Sequence, residues 1–146
     1  MIEYKIDTAS IDEIILHLKA CDAYFTTPLS SRVDIEEYAH KMYQYATKFE
    51  AWHQDNLVGL IAAYKNEEFK TAFITNVSVL PTYMGQGLSS SLLSNCVRYF
   101  ESKQFASIEL EVNKENSKAM GLYAKFNFKA IKENEDAYFM KFTFAQ

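Results

Sequence analysis

The chain has 146 residues, 49% hydrophobic and 15% aromatic, which excludes a disordered protein and fits one domain, residues 1–146, with a substantial core. Its formal net charge of −4 and pI near 5.4 make nucleic acid a poor partner, because phosphate-backbone binding needs clustered Lys and Arg. No apolar run reaches the ~18 residues of a membrane span, the first five residues hold no signal-peptide core, and Cys21 and Cys96 read as reduced, buried thiols, so a cytoplasmic protein with no membrane partner is expected.

Residues 2–6 alternate apolar and polar and predict a first strand. Ser10 with Glu13 forms a capping box, and Ile11, Ile14, Ile15 and Leu18 make the stripe of the helix that follows. His17 and Cys21 stand four apart on it. A lone pair of that kind reads as ordinary helix surface, and no metal site is expected. Residues 22–31 read as a loop carrying Tyr24 and Phe25. Asp34 is the expected N-cap of a second helix, with Ile35, Tyr38, Met42, Tyr45 and Phe49 on one face.

Strands are expected over 49–54 and 57–64, joined by a tight turn at Asp55 and Asn56. Residues 65–68 form a polar turn. Residues 69–80 make a strand long enough to need a bend or bulge. A helix spans 88–103, a cleanly alternating strand 106–112, a shorter helix 116–126, and closing strands 128–131 and 137–144. The last of these is either an internal strand or a dimer contact, since its apolar positions need cover. The order is β-α-α-β-β-β-α-β-α-β-β. An α/β mixed sheet of about six to seven strands with helices on both faces accommodates it, and the strands flanking the third helix should run parallel.

The segment 82–89, Thr-Tyr-Met-Gly-Gln-Gly-Leu-Ser, links a strand to a helix N-terminus. Two glycines there let the backbone approach a ligand, and the free N–H groups with the helix dipole suit a phosphate or pyrophosphate. By itself the pattern fits a tight turn equally well. No Gly-Lys-Ser/Thr follows and no third glycine stands in register, so neither common nucleotide loop is present. Downstream, Asn116 sits at a helix N-cap and Tyr123 lies two turns further on the same face, at the sheet edge where ligands gather in α/β folds.

Together these two stretches resemble the GNAT superfamily of acetyl-CoA-dependent N-acetyltransferases. The likeness covers nearly the whole chain in element order and about residues 75–128 in motifs. The family's Arg/Gln-x-x-Gly-x-Gly/Ala pattern aligns with Met84, Gly85, Gln86, Gly87, Leu88 and Ser89. Its later Asn, Ala, Leu-Tyr and Gly-Phe positions align with Asn116, Ala119, Leu122-Tyr123 and Asn127-Phe128. Met84 departs from Arg or Gln and removes a side-chain contact to pyrophosphate. Ser89 is small and carries a hydroxyl. Asn127 replaces a glycine and tolerates positive φ.

The resemblance implies a splayed central sheet and acetyl-CoA as cofactor. The main chain of Val77 and Val79 would hold the pantetheine arm. Met84, Gly85, Gln86, Gly87, Leu88 and Ser89 would form the pyrophosphate loop, and Asn116 would touch the arm or cap its helix. An amine would attack the thioester directly in a ternary complex, with a strand N–H polarising the carbonyl and Tyr123 as general acid to the leaving thiolate. No carboxylate occupies residues 75–78, so Glu111, His53 or a water path through Asn76 or Ser78 stands in as base. Tyr24, Phe25 and Arg32 would wall the acceptor pocket. The expected acceptor is a small-molecule primary amine; a peptide amine and a non-catalytic acyl-CoA-binding module are the alternatives.

Overall fold

The computed structural model describes residues 1–145; residue 146, the end of the expected domain, lies outside the described residues. The strands are β1 (Ile2–Ile6), β2 (Ala46–His53), β3 (Asn56–Asn66), β4 (Thr71–Val79), β5 (Ser107–Asn113), β6 (Lys129–Glu133) and β7 (Ala137–Thr143). The helices are α1 (Ile11–Cys21), α2 (Ile35–Tyr45), α3 (Leu88–Ser102) and α4 (Ser117–Lys125). The order matches the sequence reading element for element.

Local chemistry starts each helix. The Ser10 hydroxyl accepts from Glu13 N while the Glu13 carboxylate accepts from Ser10 N, closing the capping box of α1. Asp34 caps α2 through Glu37 N, and Asn116 caps α4 through Ala119 N at 3.2 Å. At the far end of α4, Asn127 adopts φ 69°, the left-handed conformation expected where the family has glycine.

The seven strands form one sheet in the order β1-β2-β3-β4-β5-β7-β6. Among the described residues only β4 and β5 pair in parallel. β7 lies between β5 and β6, so the apolar C-terminal run is an internal strand of the sheet. Leu60 and Ala62 of β3 join Ile14, Leu18 and Met42 of α1 and α2 in one core. Ile61 and Ala63 join Leu92, Cys96 and Phe100 of α3 in the other, so helices cover both faces. Gly59 sits under α3, where a Cβ would come within 3.0 Å of Leu92 Cδ1. Each large side chain so buried contributes about 1.5–3 kcal/mol.

Three expectations are corrected. Phe49 is not on α2: the helix ends at Tyr45 and β2 begins at Ala46, pairing with both β1 and β3. The β3 ladder claims 46–49, joined by the β1 ladder at Phe49, although the apolar spacing runs on unbroken. Tyr45, placed on the same stripe, is 61% exposed. The β2–β3 turn is Gln54-Asp55, one residue earlier than expected, because Gln54 takes φ 58° and His53 pairs with Asn56.

Candidate active site

The site begins as a break in pairing. β4 and β5 run in register from Thr71–Ser107 to Ile74–Leu110, and no pair beyond Ile74–Leu110 forms although both strands continue. At the same place Ala62 pairs with Asn76 but Ala63 with Ile74, leaving Thr75 as an extra, bulged residue of β4. The bulge resets the alternation. Ala72 and Ile74 pack into the α3 core, yet after Thr75 it is Val77 and Val79 that do so. Asn76 and Ser78 are thereby turned toward α1. Tyr38 of α2 anchors the bulge, its hydroxyl donating to Thr75 O at 2.6 Å.

The free edge of β4 carries unpaired amides. Leu80 N donates to Val58 O at 2.9 Å, so ladder alternation turns the N–H groups of Val79 and Val77 away from β3, to the side β5 has left. The glycine loop lies beside them. Gly85 and Gly87 both take φ 81°, and Gly87 is the N-cap of α3 with no side-chain cap. Among the described residues, no backbone carbonyl outside the helix accepts from the N–H groups of 85–90. Six donors at the positive end of a fifteen-residue helix make an anion cradle.

Two cavities meet at the break. One of about 430 Å³ is lined by Val77, Val79, Met84, Gly85, Gly87, Leu88, Ser89 and Asn116, among others. The other, about 810 Å³, lies across the seam and is lined by Arg32, Tyr38, Asn76 and Glu111, among others. Val77, Asn116 and Tyr123 line both. Tyr123 is 6% exposed, and its hydroxyl has no hydrogen-bond partner among the described residues. Burial pushes its phenol up to about 12, so it stays protonated at ordinary pH.

The structure separates the predicted residues unevenly. Of the acceptor set, Arg32 lines the larger cavity, Phe25 both, and Tyr24 only the smaller one beside the glycine loop. Gln86 lines neither and donates to Thr82 O. His53 also lines neither, since its ring is bonded to the Tyr83 hydroxyl. The reading of the His17–Cys21 pair as helix surface is overturned: His17 is 2% exposed, and Cys21, a buried thiol as expected, lies with its Sγ 3.7 Å from His17 Nε2. His17 faces β4, donating from Nδ1 to Leu57 O at 2.9 Å, with Ser78 Oγ 2.8 Å from Nε2. Burial lowers the His17 pKa to about 4 and raises the Cys21 thiol to about 11.

A mixed sheet opened between its two parallel strands, with a glycine-started helix at the opening, is the acyl-CoA N-acyltransferase fold. The chain belongs to the acetyltransferase (GNAT) family, whose model matches residues 13–128. A candidate ribosomal-protein-bS18-alanine N-acetyltransferase of Bacillus subtilis (strain 168) is 40% identical over 55 residues, which are 38% of this chain and 36% of that relative. The chain thus matches only about a third of that protein's length. Among solved structures, the ribosomal-protein-S18-alanine N-acetyltransferase from Escherichia coli superposes with TM-score 0.82 at 18% identity, over 100% of this chain and 96% of the other. The PaiA N-acetyltransferase from Thermoplasma acidophilum, in complex with coenzyme A, gives 0.74 at 17% identity, over 97% and 99%.

Proposed function

We propose that the chain transfers an acetyl group from acetyl-CoA to the primary amine of a small molecule by direct attack in a ternary complex. The observation that carries this reading is the unpaired seam between β4 and β5, with one cavity on each side and Tyr123 lining both. The smaller cavity takes the donor. Its pyrophosphate meets the N–H groups of Gly85, Gln86, Gly87, Leu88 and Ser89, and its pantetheine arm pairs with the main chain of Val77 and Val79 as an added strand. Asn116 caps α4 beside that arm. The CoA complex of the Thermoplasma acidophilum relative supports this choice of ligand.

The larger cavity takes the amine. Its nitrogen bonds to the thioester carbon, the carbonyl oxygen gathers charge against the Val79 N–H, and the carbon–sulfur bond then breaks. Tyr123 gives its proton to the departing sulfur. The burial that weakens the phenol as an acid also raises the affinity of a desolvated thiolate for a proton, so the transfer stays feasible. The proton lost by the nitrogen goes to Glu111, the one candidate base carboxylate of the sequence reading, which lines the acceptor cavity. Arg32 and Phe25 bound the same cavity.

A peptide N-terminus is the second reading, favoured by the S18-alanine activity in the names of two relatives. Purified chain with acetyl-CoA and a panel of amino sugars, polyamines, amino acid amides and alanine-ended peptides tests both, read as free thiol released. Turnover confined to small amines supports the proposal. Turnover confined to peptides replaces it with the second reading, and none with any amine contradicts catalysis of this kind.

A further inference from the structure

One buried polar chain next to the seam has no part in the steps above. Its two ends are backbone carbonyls, and these settle every proton in it. Asn76 Nδ2 donates to Leu60 O at 3.2 Å and to Ser78 Oγ at 2.9 Å. Leu60 O can only accept, so the amide nitrogen must stand there, and both its hydrogens are used. At the other end Leu57 O can only accept, so His17 Nδ1 carries the ring proton. The imidazole is neutral in its buried position, which leaves Nε2 as a bare lone pair. Ser78 therefore donates its hydroxyl proton to Nε2 across 2.8 Å. The Cys21 thiol, 3.7 Å from Nε2, is a weaker donor and does not displace it.

The consequence is a fixed polarity on the cavity side. Ser78 lines the donor cavity with its only proton committed to His17. Asn76 lines the acceptor cavity with both amide protons committed, and its Oδ1 takes no bond from the described residues yet is not sealed from solvent. Both oxygens are acceptors that cannot donate, Ser78 belonging to the donor-cavity lining and Asn76 to the acceptor-cavity lining. A thioester carbonyl finds no partner in them. A primary amine does, because it brings two N–H bonds and needs its lone pair left free.

We propose that Asn76 Oδ1 and Ser78 Oγ accept the two N–H bonds of the attacking primary amine, and that His17 is the positioning residue that holds Ser78 in this acceptor-only state. The inference rests on the acetyltransferase reading above. The two bonds aim the nitrogen lone pair at the thioester carbon. They strengthen as the nitrogen becomes positive, so they favour the transition state over the ground state. His17 touches no substrate.

The test compares wild type, Ser78→Ala, His17→Asn and His17→Gln. Each is measured for acetyl-CoA affinity by calorimetry and for kcat and KM with the best amine of the panel and with its N-methyl derivative. Asn keeps the bond to Leu57 but cannot reach Ser78, whereas Gln supplies an acceptor oxygen near the place of Nε2. Ser78→Ala and His17→Asn should lower kcat/KM for the primary amine about tenfold or more, as expected for losing an oriented hydrogen bond at the reacting atom. The preference for the primary over the N-methyl amine should shrink about fivefold, acetyl-CoA affinity should stay within about twofold, and His17→Gln should recover most of the loss.

An unchanged amine preference in Ser78→Ala overturns the inference, even if His17→Asn fails to fold. A loss seen only in acetyl-CoA affinity also overturns it, because the pair would then serve the donor. Wild-type turnover with unaltered variants refutes this inference alone. Absence of wild-type turnover refutes the proposed function and this inference with it.

Discussion

Ile74 and Leu110 are the last partners that β4 and β5 share before the two parallel strands separate. The bulge at Thr75 follows at once, and the Tyr38 hydroxyl bonds its carbonyl from α2. An unpaired strand edge, an anion cradle and two cavities follow from that separation. Tyr38→Phe should leave the Thr75 carbonyl without this partner, at a cost of about 1–3 kcal/mol. Thermal unfolding should fall by roughly 3–10 °C, and acetyl-CoA affinity should fall with it, because the seam loses its anchor. Melting and calorimetry on the same preparation check both.

Tyr123 offers a cleaner separation of chemistry from structure. Its hydroxyl bonds nothing among the described residues, so Tyr123→Phe should keep the melting temperature and the affinity for acetyl-CoA. The turnover number should fall by about 10²–10⁴, the usual contribution of a positioned general acid. Glu111→Gln should likewise lower kcat with donor affinity intact. Steady-state kinetics with calorimetry on the same preparations checks both substitutions.

Met84 is 45% exposed on the rim of the donor cavity, where the family carries Arg or Gln. Met84→Arg should tighten acetyl-CoA about threefold to tenfold, with the gain shrinking at high salt, as a half-exposed charge pair to pyrophosphate requires. Calorimetry at low and high ionic strength measures it. An unchanged affinity would place the pyrophosphate elsewhere.

His17 makes folding pH-dependent. Its pKa is near 4 when folded and 6.5 when free, so the unfolded chain binds the extra proton between those values. Stability from this group is complete above pH 6.5, declines as pH falls, and is fully lost once pH passes below 4. The full swing is roughly 3 kcal/mol. Urea melts of wild type and His17→Gln at pH 7 and pH 5 should converge as pH drops, because the variant lacks the titration.

The order of elements was readable because each boundary carries its own chemistry. Ser10 with Glu13, Asp34 and Asn116 announce helix starts, and alternation marks residues 106–112 as a strand, observed as Ser107–Asn113. Phe49 misled because its spacing from Tyr45 and Met42 continues a helical stripe across a boundary that only the β1 and β3 ladders create. The length of β4 implied a bulge, but no residue type marks Thr75 as its place. Tyr38 read as a stripe residue, since the carbonyl it serves lies 37 residues away. His17 was misread for the same reason: Leu57 and Ser78 stand 40 and 61 residues distant, and no local spacing links them. Local signals carried the scaffold and the glycine loop, whereas the polarity of the seam depends on contacts between distant segments.

Calorimetric titration of acetyl-CoA into wild type and Val79→Pro tests the central claim most directly. Proline removes the N–H that points into the seam and leaves the β3 ladder intact, and Ser78 is already extended as the residue before proline must be. Micromolar binding by wild type, weakened about tenfold or more by the substitution, is the predicted result. No binding at millimolar acetyl-CoA, or equal binding by both proteins, would contradict the seam as the donor site.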